Sequence, residues 1–115
     1  MDKIEKQERI KKEIQRLSKI FKEIDKDRLQ IVDNLIKNVA FMIVVLEELQ
    51  EIINEEGTSE HFINGKQDFI RESTALKSYN TTIKNYQSAI KSLLDLLPTS
   101  DKKETEDQLL QFLKK

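Results

Sequence analysis

Few side chains in this 115-residue chain could do chemistry, and their spacing argues against most of it. His61 is the only histidine, set between Glu60 and Phe62. A metal site draws on three or four ligands, and one imidazole beside one carboxylate does not supply them. There is no cysteine, which excludes thiolate zinc sites and disulfides. Glu47, Glu48, Glu51, Glu55 and Glu56 form a carboxylate-rich run. Di-iron helical bundles hold metal with Glu-x-x-His pairs projecting into the core, and no such pair occurs here. These glutamates therefore read as a solvated helix face. No Gly-rich phosphate loop is present, and a Ser-His-Asp relay has only His61 to draw on. The expectation is a non-enzymatic protein with no catalytic residue, metal or cofactor.

Cations are the other candidates. Lys3, Lys6, Arg9, Lys11, Lys12, Arg16 and Lys19, followed by Lys22, Lys26 and Arg28, crowd the first thirty residues. A helix carrying them would contact DNA phosphates in a sequence-tolerant, salt-sensitive way. Glu5, Glu8, Glu13 and Glu23 are interleaved with them, so the competing reading is an ordinary mixed-charge solvated face. Residues 1–30 carry ten Lys/Arg against seven Asp/Glu, whereas residues 31–60 carry one against seven. The net charge of −1 is not that of a dedicated nucleic-acid binder. A DNA role would need a local patch, or several subunits adding weak patches together.

The elements that must position these groups are helices. The chain is 36% charged, with two glycines and one proline, a composition suited to long helices. Val39-Ala40-Phe41-Met42-Ile43-Val44-Val45-Leu46 is its longest run without a polar side chain. At eight residues the run is short of the about 20 that span a bilayer, and apolarity all round means burial on more than one side. Ile10, Ile14, Leu17, Phe21 and Ile24 recur at alternating spacings of four and three, predicting a first helix over 3–26. Asp27 with Gln30 is a capping-box pair for a central helix over 28–56. That helix carries the stripe Val32, Leu35, Val39, Met42, Leu46, Leu49 and Ile53, and a second stripe of Leu29, Ile36, Ala40 and Ile43. Gly57 stands where a left-handed C-terminal cap is wanted.

Residues 57–72 lack a helical period and are expected to form a loop, in which Asn64-Gly65 between short flanks signals a tight hairpin that is marginal unless it packs on something. Ser73 caps a third helix over 73–97, whose stripe Leu76, Tyr79, Ile83, Tyr86, Ile90, Leu93 and Leu97 matches the central one in length. Asp101 and Glu104 open a tail helix over 101–114, whose Leu109, Leu110, Phe112 and Leu113 suit docking on a partner surface. The fold expected is therefore a single all-α domain: a long antiparallel helical hairpin with an additional N-terminal helix and a short C-terminal helix. It is expected to be oligomeric, with Ile36, Val39, Met42, Ile43, Leu46, Leu49, Tyr79, Ile83, Tyr86 and Ile90 forming core and interface. A compact monomer, with the first helix covering the second stripe, is the alternative. The charged start, Met1-Asp2-Lys3-Ile4-Glu5-Lys6, lacks a signal peptide's apolar core, and a soluble intracellular protein is expected.

Several segments carry a family resemblance. They are Val39-Ala40-Phe41-Met42, Leu46-Glu47-Glu48-Leu49-Gln50 and Ile53-Asn54-Glu55-Glu56-Gly57, then Asn64-Gly65-Lys66-Gln67, Ser73, Tyr79-Asn80, Lys84-Asn85-Tyr86 and Leu93-Leu94-Asp95-Leu96-Leu97-Pro98. In order and spacing, from about Asp27 to Pro98, the chain resembles small terminase subunits of tailed bacteriophages and prophages. After Gln67 it has Asp68-Phe69 where the family pattern has a small residue such as Gly, and the first helix and tail match in character alone. The resemblance implies a helical homo-oligomer, often a ring, in the cytoplasm of a bacterial host. It implies recognition of double-stranded viral DNA at the packaging start site, and recruitment and regulation of the large ATPase-nuclease subunit. It implies neither a membrane nor a metal.

The tail reading makes a first prediction. Changing Phe112→Ser together with Leu113→Ser should release a protein partner in a pull-down. Retention of every partner would remove the tail as a docking element.

Overall fold

The computed structural model describes residues 1–21, 26–96, 107–108, 110–111 and 114. In chain order the elements are α1 (Lys3–Ile20), α2 (Lys26–Glu56), β1 (Ser59–Asn64), β2 (Gln67–Glu72) and α3 (Thr74–Asp95). Asp2 caps α1 by accepting from the Glu5 N–H at 2.8 Å, and Phe21 closes it by donating its N–H to the Leu17 carbonyl. The first helix thus ends earlier than the 3–26 expected, and residues 22–25 lie outside the described residues. α2 begins at Lys26, so Asp27 lies inside its first turn rather than at the cap. There its carboxylate faces the positive end of the helix dipole. Gly57 takes the expected left-handed conformation at φ 86° and donates to the Ile53 carbonyl at 2.7 Å.

α2 is the shared element, packed by α1 and by α3. Both run antiparallel to it. Lys6 near the start of α1 bonds Glu48 near the end of α2, and Tyr79 early in α3 accepts from Gln50 at 3.2 Å. At the opposite end Arg28 donates to the Leu96 carbonyl at 2.7 Å, covering a free acceptor at the end of α3. Leu17, Phe21, Val32, Ile36, Val39, Ala40 and Leu93 form the buried core where the three helices overlap. Val44 and Leu46 are buried farther along α2. Met42, Ile43, Tyr86 and Ile90 pack half-buried against this core.

α1 begins at Lys3, less than one turn before Lys6, so the end of α2 and the start of α3 extend past it. Leu49, Tyr79 and Ile83 are half-buried. α2 has 31 residues and α3 has 22 to Asp95, so the two are less closely matched in length than their stripes imply. Because the eight-residue run sits inside this longer helix, α2 is apolar and long enough to cross a membrane by length and composition alone. Its most apolar window has a mean hydropathy of 1.7. A third of that window is buried in the fold, in the core shared with α1 and α3.

The chain is not purely all-α. Residues 57–72 hold an antiparallel β-hairpin in place of the expected loop, with β1 paired to β2 from Ser59↔Glu72 to Asn64↔Gln67. Its two-residue connection is Gly65-Lys66, with Gly65 at φ 62° and no positive φ at Lys66. Glycine at the first central position is the type II′ signature. The Asn-Gly signal therefore located the turn, but Asn64 belongs to the strand. Ser73 caps α3 as expected, accepting from the Leu76 N–H at 3.0 Å, and its own N–H returns to the Thr58 carbonyl. This last bond closes the hairpin's base. In the tail, Leu110 lies in a short helical stretch and is exposed, while Leu109, Phe112 and Leu113 lie outside the described residues.

Leu17→Ala should cost about 2–5 kcal/mol, because Leu17 is fully enclosed among three helices. Ile4→Ala, at a site 70% exposed, should be near neutral. Denaturant midpoints with equal transition slopes check both.

Candidate nucleic-acid interface

The seven cations expected to meet DNA divide into two groups. Lys3, Lys11, Lys12 and Lys19 are exposed on α1. Lys6, Arg9 and Arg16 are partly covered and take part in ion pairs. Lys6 bonds Glu48 at 3.3 Å and stands 5.8 Å from the Phe41 ring centre, within cation–π range. Arg9 bridges two helices, bonding Glu13 of its own helix at 2.9 Å and Glu47 of α2. Arg16 reaches the same Glu13 with bonds of 2.9 and 3.2 Å.

The hydrogen bond to Glu47, and then the one to Glu13, hold the Arg9 guanidinium above its ordinary pKa. Burial, with the Glu13 charge second, pushes the Tyr86 phenol up. The hydroxyl is thus held neutral on the core side of α3.

Glu13 is a correction to the sequence reading. Interleaved among cations, it read as part of a solvated face, yet it is 1% exposed. Burying a carboxylate is costly unless it is paired and hydrogen-bonded, and Arg9 and Arg16 both donate to it. The signal was present, since Arg9, Glu13 and Arg16 stand at i, i+4 and i+7, within reach on one helix face. Glu47 and Glu48 likewise leave the expected solvated run and face α1, whereas Glu51, Glu55 and Glu56 are exposed. Among the described residues no group of three His, Asp or Glu side chains is placed to hold a metal. A hollow of about 340 Å³ is lined by Met1, Glu5, Glu8, Arg9 and Lys12. Its two acids offset its two cations, so it does not select an anion.

A second cluster occupies the hairpin. On one face Phe62 and Phe69 pair across the strands with ring centres 5.1 Å apart, and the Arg71 guanidinium covers Phe62 at 4.1 Å. Arg71 then bonds Glu60 at 2.8 Å, and Thr74 at the head of α3 donates to the same carboxylate at 2.9 Å. On the other face His61 and Asp68 are in contact, and Ile63 and Ile70 are 67% and 75% exposed. Sequence reasoning noted these apolar residues in a loop but not their sorting onto two faces, which follows from the strand register.

No protein-family model, curated protein or solved structure matches the chain.

The Glu60 carboxyl is held below its ordinary pKa, first by the Thr74 hydrogen bond and then by that of Arg71. Its support for the hairpin base is thus complete above the ordinary glutamate value and fades as pH falls through the lower folded value. A carboxyl NMR titration should place Glu60 below the ordinary value, and Thr74→Val should move it back up. A Glu60 that titrates at or above that value would contradict the bonding described.

Proposed function

We propose that this protein is an oligomeric, non-catalytic adaptor of the phage terminase small-subunit kind. It binds double-stranded viral DNA in the host cytoplasm and recruits the large packaging subunit. The observation that carries the DNA part of the reading is the exposure of Lys3, Lys11, Lys12 and Lys19 along α1. A helix presenting cations this way makes phosphate contacts that position a duplex without reading bases. Self-association is supported by Leu49, Tyr79 and Ile83, which are apolar or aromatic and half-covered within a single chain. Several copies would multiply a patch that is weak in one.

A protein-only interaction module is the second reading, favoured by two observations. Three of the seven cations are occupied within the chain. The hairpin presents Ile63, Phe69 and Ile70 to solvent, as an element that meets another protein would.

Native mass spectrometry and a gel shift of double-stranded DNA at low salt separate the readings. The adaptor should run as one closed oligomer and retard DNA. Changing Lys11, Lys12 and Lys19 to Gln should weaken binding equally for unrelated sequences. It should also flatten the salt dependence, by about one slope unit for each phosphate that is no longer neutralised. An intact oligomer that leaves DNA unshifted would sink the DNA reading and bring the protein-only module forward.

A further inference from the structure

α1 is held to the rest of the chain by different means at its two ends. Its C-terminal half is anchored by Leu17 and Phe21, both inside the core. Toward its N-terminus Ile4 is exposed, and the bonds to α2 are the ionic ones of Lys6 with Glu48 and Arg9 with Glu47. The side chains in these two pairs are 30–38% exposed. Pairs of that kind are individually weak and screened by salt. Carboxylates also offer a guanidinium or ammonium the same charge-assisted bonds that phosphate oxygens do.

We infer that Glu47 and Glu48 occupy the place of DNA phosphates on Lys6 and Arg9, forming an intramolecular latch that a duplex displaces. The inference rests on the DNA-binding reading above and adds its regulation. The geometry allows the exchange without stranding a buried charge. When Arg9 turns away from Glu47, the enclosed Glu13 keeps both bonds from Arg16. The apolar half of α1 stays docked, so the exchange involves side chains at the rim and not the core. Two further cations then join Lys3, Lys11, Lys12 and Lys19 on the phosphates, while the released carboxylates, left beside the duplex, add to the cost of opening the latch. The latch thus raises the threshold for binding and favours a dense anion over a sparse one.

The test is a fluorescence-anisotropy titration of labelled double-stranded DNA at fixed low salt. It compares the full chain, the Glu47→Gln/Glu48→Gln variant, and Glu51→Gln/Glu55→Gln as a control of equal charge change. Glu51 and Glu55 are exposed and make no bond to α1 among the described residues. The latch variant should bind roughly tenfold more tightly than the control. That advantage should vanish when Lys6→Gln and Arg9→Gln are added, a coupling that general charge effects do not produce. Equal affinity of the latch variant and the control would overturn the latch while leaving the DNA reading in place. No binding by any of the proteins would overturn the DNA reading and the latch with it. If the double variant folds poorly, Glu48→Gln alone leaves the Arg9 bonds intact and is read in the same way, with a smaller gain.

Discussion

The middle of α2 is apolar on every side, so no single neighbour can take it out of water. Each buried aliphatic side chain there is worth about 1.5–3 kcal/mol relative to exposure, and Val39, Ala40 and Val44 are fully enclosed. An antiparallel partner such as α3 covers one face. α1, folded back after Phe21, covers another, while Phe41 stays 51% exposed. The charge pattern follows from that return. Folding back sets the cationic N-terminal part of α1 beside the acidic C-terminal part of α2, and the apolar constraint thereby dictates which ion pairs exist.

Glu13 shows how closely the electrostatics follow the packing. A buried carboxylate without partners would destabilise the fold by several kcal/mol, and one bonded by two guanidinium groups is tolerated. Arg9 and Arg16 supply those bonds from the rim of the helix, where their own charged ends stay partly hydrated. Arg9 also ties the register of α1 to that of α2 through Glu47. The same cations cannot serve the interior and an external polyanion at once, and this competition governs any reading of α1 as a nucleic-acid surface.

The β-hairpin is governed by different constraints. A two-stranded sheet is marginal in water, and this one has two open edges. Its stability comes from the Phe62–Phe69 pair, the Arg71 cover and the Glu60–Thr74 bond that ties it to the head of α3. Ile63 and Ile70, on the opposite face, are left largely exposed. They are the side chains a partner surface would bury, and open strand edges beside them offer further backbone bonds.

Much of the fold could be read from the sequence because its signals are local. Heptad spacing set three helices, Ser73 and Gly57 marked their ends, and Asn64-Gly65 located a turn. Proximity along one chain direction is enough for each of these. Asn64-Gly65 signalled the hairpin but not its extent, because six-residue strands of mixed polarity carry little period, and cross-strand partners such as Phe62 and Phe69 are joined by register alone. The cations of α1 were visible by type and spacing, but which of them remain available was not. Lys6 meets Glu48 across 42 positions and Arg9 meets Glu47 across 38. Periodicity and composition are enough to make α2 an apolar central helix and α1 a cationic one. Which cations face inward follows from the fold, because charge pairing depends on distance in space, and the return of α1 onto α2 sets that distance.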